Sequence, residues 1–305
     1  MTTNPILVIG STGNVGRQVV TQLAEGGLPV RALARRPERA GLPDGVEVVQ
    51  GDLSDLDSLG PALRDVDSVF LMWPLPSGDL ATAIANTIAT SASRLVLLSS
   101  TAASDERTDR ENPISQVHLA VERAIERTTL EWTFLQPHGF ATNTLGWAPQ
   151  IREDGVVRGA YGSVVSTLIH EADMAAVAVA ALTTDGHAGA KYDLTGPQAL
   201  TQIEQVRVIG EVIGRPTRWE ETTPEVAREQ FLTWMPAPYA DAMLAAYARL
   251  AAAEPDQPTT TVETVTGTPA RTFSQWVADH AAEFDPDGRA AFTQAQPPLR
   301  ASANR

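Results

Sequence analysis

Through its first 137 residues the chain alternates short apolar runs with longer stretches in which apolar positions recur at helical spacing. The runs are Ile6–Ile9, Val30–Ala34, Val46–Gln50, Ser68–Met72, Arg94–Ser99 and Trp132–Pro137. Several are continuously apolar, as strands covered on both faces must be. Between them, Asn14–Ala24 sets Val15, Val19, Val20 and Leu23 on one side of a helix. Such alternation calls for right-handed crossovers, so the pattern predicts an α/β fold: a doubly wound parallel sheet with helices on both faces.

Beyond residue 137 the rhythm changes. Thr167–Ile169 reads as a short strand, Glu171–Leu182 as an alanine-rich helix, and Lys191–Leu194 as another strand, closed by Thr195-Gly196-Pro197. Thr201 and Glu204 match a capping box, in which the threonine caps and the glutamate reaches back. They open a helix to about Ile213, which Gly214-Arg215-Pro216 stops. Residues 223–254 read as helices, Val262–Val265 as a strand or extended run, and Phe273–Phe284 as a final helix. The tail from Asp285 carries little periodicity and is expected to be flexible.

Composition removes several chemistries. The 305 residues include 23 cationic ones, of which 22 are arginine and one is Lys191. Mechanisms that need a lysine amine elsewhere are excluded, the Tyr-x-x-x-Lys pair of many dehydrogenases among them. A net charge of −14 argues against bulk binding to nucleic acid or an anionic membrane. With no cysteine there is no thiolate nucleophile or disulfide framework, and the five histidines show no metal-ligand spacing. The longest apolar run, Met174–Leu182, is far short of the roughly 20 residues that span a bilayer. No secretory signal precedes the first strand, so a soluble, cytoplasmic protein is expected.

One motif carries chemistry. Gly10-Ser11-Thr12-Gly13-Asn14-Val15-Gly16 follows the first strand and opens the first helix. A diphosphate that approaches backbone N–H groups at a helix N-terminus needs such a bare turn, although a purely structural glycine turn is the plainer alternative. The second strand ends in Arg35-Arg36, where binders of NAD place an acid. Two guanidiniums there suit a 2′-phosphate, so NADP(H) is favoured. After the third strand, Asp52 and Leu53 could meet the adenine, or Asp52 could merely cap a turn. Trp73, after the fourth, reads either as a pocket wall or as a core residue.

Together with Ser99-Ser100, Gln136-Pro137, Asp173-Met174-Ala175, Tyr192–Pro197 and Thr266–Thr272, these residues resemble the NmrA-like, NAD(P)H-binding group of atypical short-chain dehydrogenase/reductases over residues 4–284. That group includes NADPH-dependent quinone reductases and redox-sensing regulators. The resemblance implies a Rossmann-type core over residues 1–150 and a smaller C-terminal part over 151–284, with late strands of the sheet and substrate-covering helices, followed by the tail at 285–305. It also places Ser99 and Pro137 beside the cofactor, and Trp73, His138, Phe140, Asn143 and Trp147 around the substrate.

For catalysis the resemblance implies a Tyr/Lys pair on the helix that Asn112-Pro113 opens, yet the matching positions hold Leu119 and Arg123. Arg123 could still bind ribose or simply face solvent; His118 could donate a proton or be structural. Lys191 reads as a solvated charge. The expected activity is NADPH-dependent hydride transfer to a small, planar, apolar acceptor, a quinone or an enone-type metabolite. Two alternatives share the signature: a non-catalytic NADP(H) sensor acting through a protein partner, and a cofactor-bound isomerase or cyclase. A homodimer is compatible with all three.

Overall fold

The computed structural model describes residues 4–103, 112–233 and 235–285. In chain order the elements begin with β1 (Ile6–Ile9), α1 (Asn14–Glu25), β2 (Val30–Ala34), β3 (Glu47–Gln50), α2 (Leu59–Leu63), β4 (Ser68–Met72), α3 (Ala81–Ala89), β5 (Arg94–Leu98), α4 (Pro113–Glu126) and β6 (Glu131–Pro137). There follow α5 (Ala148–Asp154), β7 (Val156–Gly159), β8 (Val165–Ser166), α6 (Glu171–Thr183), β9 (Ala190–Leu194) and β10 (Leu200–Thr201). The chain closes with α7 (Gln202–Ile213), β11 (Arg218–Glu221), α8 (Pro224–Leu232), α9 (Ala237–Ala252), α10 (Thr261–Thr266) and α11 (Phe273–Asp279).

Seven strands form one parallel sheet in the order β3-β2-β1-β4-β5-β6-β9. The order reverses between β1 and β4, which puts the switch point of the doubly wound fold beside the glycine turn. All four residues of β1 are buried, as expected of a strand covered on both faces. Helix α1 buries the predicted stripe of Val15, Val19, Val20 and Leu23. In α4, the Asn112 side chain accepts from the Ile114 N–H and Pro113 occupies the first turn.

By its contacts the chain falls into two compact units. Unit 1 takes the described residues of 1–137, 171–194 and 261–268; unit 2 takes those of 138–170, 195–260 and 269–305. The late strand β9 joins the large sheet, as the sequence led one to expect of the C-terminal part, and α6 and β9 belong with unit 1. Unit 1 holds a core of Leu7, Ile9, Leu71, Ile84, Leu97, Val121 and Phe134, among others. Unit 2 is built on Ile151, Val157, Val206, Ile209, Phe273, Trp276 and Phe284. Its β7 pairs in parallel with β11, a small sheet absent from the sequence reading.

Three local expectations need correction. Val262–Val265 is helical, within α10, because this β-branched segment packs on α6 and β9 instead of joining a ladder. The strand expected at Thr167–Ile169 lies two residues earlier, as β8 paired antiparallel with β10; residue 169 makes only an isolated bridge to Phe140. The last helix stops at Asp279, and Ala281–Phe284 continues as a 3-10 turn. The capping box stands as expected, with the Thr201 hydroxyl accepting from the Glu204 N–H and Gly214 closing α7 at φ 68°. The tail expected to be flexible lies, beyond residue 285, outside the described residues.

Candidate active site

The turn between β1 and α1 is closed by a hydrogen bond from the Gly13 N–H to the Gly10 carbonyl, 3.1 Å long. Gly10 sits at φ 85°, and a Cβ there would lie 2.8 Å from the Met72 Cβ. A Cβ on Gly16 would lie 2.1 Å from the Gly10 carbonyl oxygen, so helix and turn could not approach as they do. Gly13 is different. Its φ of −80° is ordinary and a Cβ would meet nothing in the protein closer than 3.4 Å. The turn is thus bare at a position the protein itself leaves open.

No side chain caps α1, and its first turn contains no acid. The leading N–H groups therefore present partial positive charge with no counter-group from the chain, which is the arrangement a diphosphate requires. The residues fit a dinucleotide on this ground. Thr12 and Asn14 are exposed at the turn, whereas Ser11 and Val15 are buried. The Ser11 hydroxyl donates to the Leu33 carbonyl at 2.9 Å and ties the turn to β2.

At the end of β2, Arg35 and Arg36 are both exposed. Asp52 carries its carboxyl below the usual value. Burial alone would raise it, but hydrogen bonds from the Ser54 N–H and hydroxyl, with the charge of Arg35, outweigh that. One Asp52 oxygen is thus committed to a local turn. Leu53 is 3% exposed and belongs to the unit 1 core. Trp73 belongs there too, its indole N–H donating to the Ser77 carbonyl at 3.0 Å. Neither side chain stands open at the edge where the sequence reading set them.

The carboxyl ends of β5 and β6 hold a cluster the sequence reading missed. Glu122 of α4 is 1% exposed. It accepts from the Ser99 hydroxyl at 2.5 Å, from Gln136 Nε2 at 2.8 Å and from Lys191 Nζ at 3.0 Å. Lys191 is therefore no simple solvated charge: it bridges Glu122 and Glu126 and lies 5.2 Å from the centre of the Phe134 ring. Burial would lower its pKa, but the two carboxylates more than compensate and raise it.

One turn before Glu122 stands His118, whose Nδ1 is shielded from solvent and without a hydrogen-bond partner among the described residues. Burial pulls its pKa below 6.5, against the opposing charge of Glu122, so the ring is neutral at neutral pH. Arg123 is exposed on the outer side of the helix. A signal for the cluster was present in sequence: Ser115, His118 and Glu122 share one face of α4 beside its apolar stripe, and Ser115 and Glu122 are both buried.

In unit 2, His138 leads a segment in which the Ala141 N–H donates to the Ile169 carbonyl at 3.0 Å. His138 Nδ1 lies 3.1 Å from Asp256 Oδ2, Phe140 is partly buried, and Asn143 is exposed. Trp147 packs against the unit 2 core, edge-on to Trp219 with ring centres 5.9 Å apart. Of the aromatic residues expected around substrate, Trp73 is buried in the unit 1 core and Trp147 is partly buried against the unit 2 core. His170 is buried with Nε2 at 3.2 Å from Asp279 Oδ2. Among the described residues no group of His, Asp or Glu could hold a metal ion, and no helix is long and apolar enough to cross a membrane.

Residues 10–185 match a family model described as NAD(P)H-binding. Over 284 residues the chain is 43% identical to the (4-alkanoyl-5-oxo-2,5-dihydrofuran-3-yl)methyl phosphate reductase of Streptomyces griseus, spanning 92% of this chain and 100% of that one. It is 35% identical over 285 residues to the NAD(P)H azoreductase of Xenophilus azovorans, spanning 92% and 99% of the two chains. The structure of the NADPH-dependent quinone oxidoreductase of Escherichia coli with NADPH aligns with a TM-score of 0.74 over 90% of this chain and 99% of that one. At 20% identity this is a likeness of fold.

Proposed function

Because the chain belongs to the NAD(P)H-binding family and is an NAD(P)H-dependent oxidoreductase, we propose that it reduces a small planar acceptor whose reducible bond is conjugated with carbonyl groups, an enone-type alkene ahead of a quinone. The observation that carries this reading is the state of α4. The helix carries no Tyr-x-x-x-Lys pair, the single lysine of the chain being Lys191 of β9, and its His118 is neutral at neutral pH.

General acid catalysis typically contributes about 10²–10⁴ in rate. An isolated ketone, which becomes a localised alkoxide, depends on it. An acceptor that spreads the arriving electron pair over its own carbonyl oxygens does not, and the second hydrogen of the reduced bond then comes as a proton from water. The Streptomyces griseus relative supports the enone over the quinone: its named substrate has a ring C=C with an alkanoyl carbonyl and a ring carbonyl on the same carbon.

Bound NADPH would supply the hydride. We assign its diphosphate to the backbone N–H groups of the 10–16 turn, its 2′-phosphate to Arg35 and Arg36, its adenine side to Asp52, and its nicotinamide side to Ser99 and Pro137. These residues bind and orient; orientation of the reacting atoms then accounts for most of the rate.

The test is oxidation of NADPH, followed at the reduced-nicotinamide absorbance band, with a panel of acceptors. An alkanoyl butenolide with and without its phosphate, a simple quinone, an unactivated ketone and an azo dye make the panel. Turnover is expected with the butenolides and, more slowly, with the quinone. Reduction of the ketone at a comparable rate, or tight NADPH binding with no oxidation by any acceptor, would overturn the reading.

A further inference from the structure

The Ser99 hydroxyl has one proton, and it points at a buried carboxylate 2.5 Å away. A charge-assisted bond of that length fixes the direction of the proton, so whatever else the hydroxyl meets must meet its lone pairs. Glu122 in turn is held from several sides: by Gln136 of β6 and by Lys191 of β9, with Ser99 at the end of β5. A carboxylate on one helix thus registers the ends of neighbouring strands.

The cation is the single lysine of a chain that uses arginine at its 22 other basic positions. Its ammonium lies 3.0 Å from Glu122, 3.1 Å from Glu126 and 5.9 Å from the centre of the Trp132 ring. A compact ammonium satisfies groups on several sides at once; a planar guanidinium of fixed fork geometry does not.

We propose that Glu122, paired with Lys191, is a positioning residue that accepts the hydrogen bond of the Ser99 O–H and so leaves that hydroxyl only its lone pairs, as a hydrogen-bond acceptor for a donor group of the bound nucleotide. The inference rests on the assignment of Ser99 to the nucleotide site and goes beyond it, because it gives the bond a direction. It also removes Ser99 as a proton donor or oxyanion partner for the acceptor. Glu122→Gln places an amide N–H₂ among these groups; when that amide donates to Ser99, the hydroxyl proton turns outward and meets the nucleotide donor head-on.

The experiment is calorimetric titration of NADPH, with no acceptor present, into the protein and its Ser99→Ala, Glu122→Gln and doubly substituted variants. Each single change is expected to weaken binding roughly three- to tenfold, the size of one neutral hydrogen bond. The double variant is expected to bind no more weakly than Ser99→Ala alone. Losses that multiply, or a Glu122→Gln variant that binds as the parent does, overturn the proposal. An unchanged Ser99→Ala removes its premise and overturns it too. A failed acceptor panel leaves all these outcomes readable.

Should Glu122→Gln fail to fold, Lys191→Gln serves instead. Without the ammonium that orients Glu122, NADPH binding is expected to weaken in the parent background and to change no further in a Ser99→Ala background. The same loss from Lys191→Gln in a Ser99→Ala background would show a purely structural ion pair and overturn the proposal.

Discussion

Replacing Arg35 and Arg36 with alanine tests the choice of cofactor at the position proposed for the 2′-phosphate. Both side chains stand exposed at the end of β2, past the buried Leu33 and Ala34, beside the turn that starts α1. A charge-assisted hydrogen bond to a phosphate contributes about 1.5–3 kcal/mol. Because solvent and salt screen exposed groups, the lower figure applies, about 1.5 kcal/mol for each guanidinium. The pair then accounts for roughly 3 kcal/mol, on the order of a hundredfold in Kd for NADPH. NADH has no 2′-phosphate, so its Kd should move by less than about twofold. The assay is titration of both nucleotides at low and high salt. In the parent the gap between them should narrow as salt rises, and in the double variant it should be nearly absent. Equal losses for NADPH and NADH, or a gap insensitive to both substitution and salt, would refute the 2′-phosphate role. Of the single variants, Arg35→Ala should also raise the pKa of Asp52, since the Arg35 charge is one of the groups that lower it.

Three further outcomes follow from the geometry. Gly16→Ala forces a Cβ to within 2.1 Å of the Gly10 carbonyl oxygen; it should cost about 1–3 kcal/mol, lower Tm by on the order of 3–10 °C and abolish nucleotide binding, and an unchanged melt would contradict the packing. His118 has a folded pKa below 6.5, so below that pH the unfolded chain holds a proton that the folded one refuses, and stability falls with pH until the folded pKa is passed. His118→Asn should flatten this slope, gaining Tm at pH 5 relative to the parent but not at pH 8; parallel profiles would show that burial of His118 is not its cause. Thr201→Ala removes the reciprocal cap of α7 and should cost about 1–2 kcal/mol in urea unfolding, while Thr201→Ser should restore most of it.

The parallel sheet was legible because buried strands announce themselves as continuous apolar runs, and all six expected in the first 137 residues appear within a residue of their predicted bounds. The glycine turn was legible because close backbone approach admits no substitute at Gly10 and Gly16. Where the structure departed, the deciding contact was remote in sequence. The segment Val262–Val265 looks like a strand by propensity, and only packing on α6 makes it a helix. Trp73 left a pocket wall and a core residue both open in sequence, because nothing local says whether an aromatic residue after a strand end turns outward or into a core. Glu122 and Lys191 are 69 residues apart, and neither betrays the other in sequence.

What the helix α4 retains is more informative than what it lacks. Positions 119 and 123 are one turn apart, and so are His118 and Glu122, each a residue earlier. A shift of one residue rotates a helical pair by about 100°, which carries it from the outer surface towards the ends of β5 and β6. An i, i+4 polar pair thus survives on this helix, but its electrostatic sense is reversed. A lysine beside a tyrosine lowers the cost of losing the phenolic proton and so sharpens an acid. A carboxylate beside a histidine does the opposite and favours the protonated ring. Here even that help is insufficient, because burial outweighs Glu122 and leaves His118 neutral. The carboxylate is in any case already committed to Ser99, Gln136 and Lys191. On the proposed reading, the helix therefore presents hydrogen-bond acceptors and a neutral ring to the acceptor and no proton donor. Negative charge that develops on an acceptor must then be accommodated by the acceptor itself, so the order of reactivity across substrates should follow the stability of their anions and not their size.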